Sequence, residues 1–143
     1  MTLNHSAEQS QPEQMAGKLR QAGLRPTRQR LDLACLLFGQ GDRHLSAEEL
    51  HAEARNARLS VSLATVYNTL NQFTAAGLLR EIAIEGDRSY YDTNTSNHCH
   101  FFDAGHGGIA DIDAETVTVS GVPELPPGKV LDRIDVIIRI KDA

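Results

Sequence analysis

The stretch that decides the fold is Ser62-Leu63-Ala64-Thr65-Val66-Tyr67-Asn68-Thr69-Leu70-Asn71-Gln72-Phe73-Thr74-Ala75-Ala76-Gly77. Leu63, Val66, Leu70 and Phe73 recur at helical spacing, while Thr65, Asn68 and Gln72 take the other side. This predicts an amphipathic helix over 62–76. Gly77 suits the left-handed position just past its end. Downstream, residues 79–84 and 88–93 read as extended stretches around Glu85-Gly86-Asp87, the pattern of a β-hairpin. Upstream, Ser46-Ala47-Glu48-Glu49 is a capping box opening a helix whose buried side is Ala47, Leu50, Ala54 and Ala57. Before it, Thr27 is the N-cap of a helix striped by Leu31, Ala34, Cys35 and Phe38 and stopped by Gly39 and Gly41. A shorter helix over 15–22 ends at Gly23, and the polar residues 1–14 read as a mobile arm. Three successive helices followed by a hairpin make a winged helix-turn-helix over 15–93.

From about Thr95 the pattern changes. Short strands are predicted over 98–103, 108–113, 116–120 and 133–141, with a Pro- and Gly-containing connector over 121–128 and a few helical residues from Lys129. The fold class expected is α+β, a winged-helix domain followed by a small α/β domain over 94–143. That second module has little core of its own, so pairing with another copy would stabilise it.

Composition agrees with a folded chain: 41% of the 143 residues are hydrophobic and 23% charged, which argues against a disordered or fibrous protein. There is no apolar run of the roughly 18 residues that a membrane span requires, nor the apolar core of a signal peptide. A soluble cytoplasmic protein is the expectation. The two cysteines, Cys35 and Cys99, are too few for a disulfide framework or a four-thiolate zinc site, and Cys35 reads as a small apolar core residue.

The net charge of -5 conceals an asymmetry. Residues 1–80 hold 9 Lys/Arg and 7 Asp/Glu, whereas 81–143 hold 5 and 12, giving +2 and -7. Lys18, Arg20, Arg25, Arg28 and Arg30 fall together without an intervening acid, a cationic footprint of the kind phosphates attract. Asn68 suits an adenine edge, Thr65 is small and polar, and Arg88 sits on the wing. An ordinary solvated helix face would look similar to any one of these features. Their combination favours DNA binding.

His98-Cys99-His100 is the second constellation. On an extended segment the two imidazoles share a face and Cys99 takes the other. Two such imidazoles form half a site for Fe, Mn or Zn, with His44, Asp92 and Asp111 available as further donors, although two surface histidines in a polar loop would look alike.

The chain resembles the Fur superfamily of metal-responsive regulators over about residues 15–143. The resemblance rests on Gly23-Leu24-Arg25-Pro26-Thr27-Arg28-Gln29-Arg30, on His44-Leu45-Ser46-Ala47-Glu48-Glu49-Leu50, and on the run from Ala64 to Phe73 with Ala76-Gly77-Leu78. It implies a winged-helix domain joined to a dimerisation domain, a homodimer or tetramer on double-stranded promoter DNA, and a hinge metal site. Residue by residue, that site matches His44, Asp92, His98, His100 and Asp111. Tyr67 matches the tyrosine of the recognition helix, and Arg25 a basic residue that reaches a minor groove. The superfamily's Cys-x-x-Cys zinc pair falls at Asp103 and His106, so no structural thiolate zinc is expected.

Within the superfamily, Ser96-Asn97-His98-Cys99-His100-Phe101-Phe102 looks like the sensing segment of the iron response regulators. That resemblance implies DNA binding under iron scarcity and release by haem. Neighbouring histidines on one face cannot supply both axial ligands of a haem, so His98, Cys99 or His100 would take one position only. Occupancy of the hinge would set the spacing of two recognition helices. A Fe, Mn, Zn or peroxide sensor on the same fold is the alternative reading. A mononuclear non-haem iron enzyme is the alternative of another class, disfavoured because no base, nucleophile or substrate pocket is evident.

Overall fold

The structure, a computed structural model, describes residues 10–85 and 88–143, without the side chains of residues 85 and 88. The chain divides into two compact units, Met1–Thr95 and Ser96–Ala143. Together they are of the α+β class, and the first is a winged helix-turn-helix.

Its helices begin where hydroxyl side chains satisfy orphan amides. In α1 (Gln11–Gln21), Ser10 accepts from the amide of Glu13 at 3.4 Å. In α2 (Arg28–Phe38), Thr27 accepts from that of Arg30 at 3.4 Å. After the short strand β1 (His44–Leu45), Ser46 caps α3 (Ala47–Asn56) through Glu49 at 3.1 Å. Ser62 likewise caps α4 (Leu63–Ala75) through Thr65 at 3.1 Å. Gly77, at φ +81°, lets the chain leave α4 while the amide of Leu78 reaches the carbonyl of Phe73.

The first helix starts earlier than the arm expected over 1–14 allows. Ser10 and the proline at its first turn nucleate it, and Met15 buries against the core. Residues 1–9 of that arm lie outside the described residues. The α2 stripe is also corrected: Leu33, Ala34 and Leu37 are buried, while Leu31, Cys35 and Phe38 pack on the core from its edge. Apolar side chains lie on more than one side of this helix, so periodicity alone does not choose the inward one. Ala57 is exposed, because the helix ends there and the chain turns through Arg58 at φ +59°.

The core joins all four helices to the sheet through Leu19, Leu33, Leu37, Leu45, Leu50, Val66, Leu70 and Phe73, each with no exposed surface. The sheet runs β1-β3-β2, with β2 (Arg80–Glu85) and β3 (Arg88–Asp92) forming the wing. The turn expected at Gly86-Asp87 lies outside the described residues.

In the second unit, β4 (Cys99–Asp103) lies between β5 (Gly108–Ile112), antiparallel to it, and β6 (Ile137–Ile140), parallel to it. His100 and Phe102 are buried, whereas Phe101 between them is exposed. Three expectations fail here. Residues 116–120 form no strand: a 3-10 turn at Ala114–Thr116 takes up the start of that stretch, and the sheet of this unit is β5-β4-β6, with no place in it for residues 117–120. Residues from Lys129 form no helix; the amide of Lys129 closes a turn on Pro126, with Gly128 at φ +76°. The strand expected over 133–141 is confined to Ile137–Ile140, which pairs with His100–Asp103 and goes no further than its partner. Among the described residues no helix is long and apolar enough to cross a membrane.

Candidate nucleic-acid interface and metal centre

In the first unit, the start of α2 and the outer side of α4 enclose an open cleft of about 500 Å³ lined by Arg25, Thr27, Gln29, Arg30, Thr65, Asn68, Thr69 and Gln72. Arg30 braces it. Its guanidinium donates to Oε1 of Gln72 at 3.1 and 3.3 Å and to the carbonyl of Arg25 at 2.8 Å, fixing one helix against the other. Sequence reasoning singled out Arg25, Thr65 and Asn68, which line this cleft, but missed the Arg30–Gln72 brace. Two such side chains 42 residues apart carry no mutual signal in the sequence.

Arg28 is not among the residues lining the cleft. It is highly exposed and pairs with Asp32 at 3.7 Å, one helical turn on. Tyr67 lies outside the cleft lining too, half-buried, with its phenol donating to Oε1 of Glu48 at 2.6 Å. The side chain of Arg88 lies outside the described residues.

His44 and Asp92 also belong to this unit, as register partners across β1 and β3. Side chains directly opposite on neighbouring strands share a face. The carboxylate of Asp92 is buried and accepts from the amide of Asn94 at 2.8 Å. Arg43 sets the position of β1. It donates to Glu53 of α3 through two nitrogens and to the carbonyl of Leu36, while its backbone exchanges hydrogen bonds with Thr93. The hydrogen bond to Glu53 raises the Arg43 pKa further.

The second unit brings His98, His100 and Asp111 together. His100 and Asp111 are cross-strand partners of β4 and β5, and His98 precedes β4 by one residue. Their ligand atoms lie within 4.8 Å of one another, with Nε2 of His98 and of His100 at 3.4 and 3.3 Å from the same oxygen, Oδ1 of Asp111. The imidazole rings stand edge to face, 4.4 Å apart. Nδ1 of His98 is 2.7 Å from the carbonyl of Ser96, which only accepts, so that nitrogen carries the proton and Nε2 carries the lone pair in the neutral ring. Ligating histidines are oriented in this way, with the far nitrogen donating to a carbonyl.

Cys99 is half-buried and lies on the other side of the strand, opposite Ile112. Both cysteines are free thiols, and burial, followed by the nearby Asp32, pushes the Cys35 pKa up, which suits its packing role.

A winged helix with a basic cleft, followed by a unit bearing an imidazole–carboxylate cluster, defines the class of metal-responsive transcription regulators. The profile of the ferric uptake regulator family matches residues 21–121. A ferric uptake regulation protein of Pseudomonas fluorescens is 32% identical over 108 residues, covering 76% of this chain and 82% of that protein. One from Vibrio cholerae is 38% identical over 80 residues, covering 56% of this chain and 53% of that protein. Among solved structures, the Pseudomonas aeruginosa ferric uptake regulator with manganese superposes with a TM-score of 0.68 at 26% identity, covering 90% of this chain and 97% of that one. The Vibrio cholerae ferric uptake regulator gives 0.70 at 25%, covering 89% and 98%. The chain belongs to the ferric uptake regulator family, whose members are metal-responsive transcription regulators and not enzymes.

Proposed function

We propose that the protein is an iron-responsive regulator of the iron response regulator (Irr) type, a cytoplasmic homodimer that binds promoter DNA when iron is scarce. In this reading a divalent ion (Fe, Mn or Zn) is held by His98, His100 and Asp111, with His44 and Asp92 as further donors. The observation that carries it is the convergence of Nε2 of His98 and Nε2 of His100 on one oxygen of Asp111, with His98 oriented by its Nδ1 bond to the Ser96 carbonyl. A dication placed there would be met by the lone pair of His98 Nε2 and the negative oxygen of Asp111, with the ring of His100 beside them. Nitrogen and oxygen donors of this kind fit borderline divalent ions. The Pseudomonas aeruginosa relative, solved with manganese, supports the same chemistry.

The DNA-binding residues of this reading are Arg25, Arg28, Thr65, Tyr67, Asn68 and Arg88. Arg25, Thr65 and Asn68 offer phosphate and base-edge contacts from one cleft. Haem enters as an effector with a single axial ligand from His98, Cys99 or His100. The histidine side chains are only 7% and 4% exposed, which favours a small ion over a macrocycle at those two nitrogens. The bound ion supplies charge neutralisation, and the protein's part is to orient the imidazoles and exclude water around them.

Fluorescence anisotropy on an AT-rich promoter duplex tests the reading, with and without Mn²⁺ and with haem. We expect salt-sensitive binding whose affinity shifts about tenfold with effector, equivalent to about 1.4 kcal/mol. The shift should be lost in His98→Ala/His100→Ala and weakened in His44→Ala and Asp92→Asn. Duplex affinity that responds neither to metal nor to haem overturns the sensing assignment.

A further inference from the structure

Gln72 stands on the same side of α4 as Thr65 and Asn68, one helical turn beyond Asn68, and all three line the cleft. Its amide is not free to turn. Nε and one terminal nitrogen of Arg30 both donate to Oε1 of Gln72, at 3.3 and 3.1 Å. A guanidinium carries donors only, so the amide atom that faces it is the oxygen, and the NH2 group takes the other direction. Arg30 is itself anchored: its second terminal nitrogen donates to the carbonyl of Arg25 at 2.8 Å, and its backbone amide donates to the capping hydroxyl of Thr27. The Gln72 amide is therefore oriented by α2 while it is carried by α4. Its NH2 group has no hydrogen-bond partner among the described residues and is left for the cleft.

We propose that Gln72 reads a base, and that Arg30, by holding Oε1, fixes it as a donor that selects guanine over adenine. This rests on the reading of the cleft as the surface that meets duplex DNA. A glutamine free to turn pairs with adenine, donating to N7 and accepting from the N6 amino group. Gln72 lacks the second half of that pair, because its acceptor is already taken by two charge-assisted bonds. At an adenine its NH2 group would meet a second donor at N6. Guanine presents acceptors, N7 and O6, at both positions of the same edge, so a donor-only amide is satisfied there; thymine, with O4 beside a methyl group, ranks second. Asn68 makes no such bond among the described residues and keeps both halves of its amide for adenine. Two amides one turn apart thus have different base preferences, and the difference originates in a residue of another helix.

The test uses the full chain and a duplex that it selects from a random pool, with each base pair then replaced in turn and affinities measured by fluorescence anisotropy. One position should prefer guanine over adenine by about three- to tenfold. Gln72→Ala should reduce that ratio to within about twofold and leave the other positions unchanged. At the same position 7-deazaguanine, which lacks N7, should weaken the unaltered chain but not Gln72→Ala. Gln72→Glu separates reading from bracing. It keeps two acceptor bonds to Arg30 but has no donor, so it should lose the guanine preference without losing thermal stability, whatever uniform loss its charge causes. Arg30→Met releases the amide and should move the position toward adenine. The proposal is overturned if Gln72→Ala weakens all duplexes equally, which would mark a phosphate contact, or if Gln72→Glu retains the preference, which would mark a brace alone. Base preferences that depend on Asn68 but not on Gln72 overturn this inference and leave the cleft reading standing. A chain that binds no duplex overturns both.

Discussion

The phenol of Tyr67 donates a 2.6 Å hydrogen bond to the carboxylate of Glu48, tying an acid of α3 to the helix proposed to read DNA. The bond orients the tyrosine and also places a negative charge beside it. Glu48→Gln keeps an acceptor but removes the charge. Duplex affinity should rise about two- to tenfold at low salt, with the gain fading as salt screens it. Anisotropy titrations across a salt series provide the check.

Asn68 and Arg25 line the same cleft but should fail differently when truncated. Asn68→Ala is expected to cost about 1–3 kcal/mol and relax sequence preference at one base. Arg25→Ala should weaken all duplexes about equally and lower the salt slope by about one. Competition with scrambled duplexes separates the two.

The Arg43–Glu53 pair ties α3 to the start of β1 and is only partly exposed. Arg43→Leu leaves Glu53 without that partner and removes the bond to the Leu36 carbonyl. After allowance for solvent screening, the loss of stability is about 1–2 kcal/mol, readable in urea unfolding.

Tyr91 is buried, and its phenol donates to Oδ1 of Asn71 at 3.2 Å. Burial first, then Glu81, Tyr67 and Glu48, push its pKa from 10 up to about 12. The folded protein therefore holds this proton more tightly than the unfolded chain. The stability it contributes is complete below pH 10 and is lost as pH rises through about 12. Tyr91→Phe should be less stable at neutral pH by about 0.5–1.5 kcal/mol, yet decline less steeply across that alkaline window. Denaturation at a series of pH values tests it.

Arg58 closes α3 at φ +59°, a conformation that a side chain disfavours. Arg58→Gly should stabilise the protein by up to about 1 kcal/mol in thermal unfolding, since the relieved strain exceeds the added chain entropy.

Local chemistry made much of this protein legible in its sequence. The hydroxyls of Thr27, Ser46 and Ser62 bond amides three residues on, so the starts of three helices follow from neighbours in the chain. The pairing of His98 with His100 on one face follows from strand alternation, a period of two that needs no tertiary knowledge. Long-range partners were not legible. Nothing near Arg30 announces Gln72, and nothing near His106 announces Asp142, because their meeting depends on how helices and strands pack. The inward side of α2 and the short reach of β6 were likewise settled by what each element packs against: an apolar helix has no preferred side until neighbours cover one, and a strand extends only as far as its partner offers hydrogen bonds.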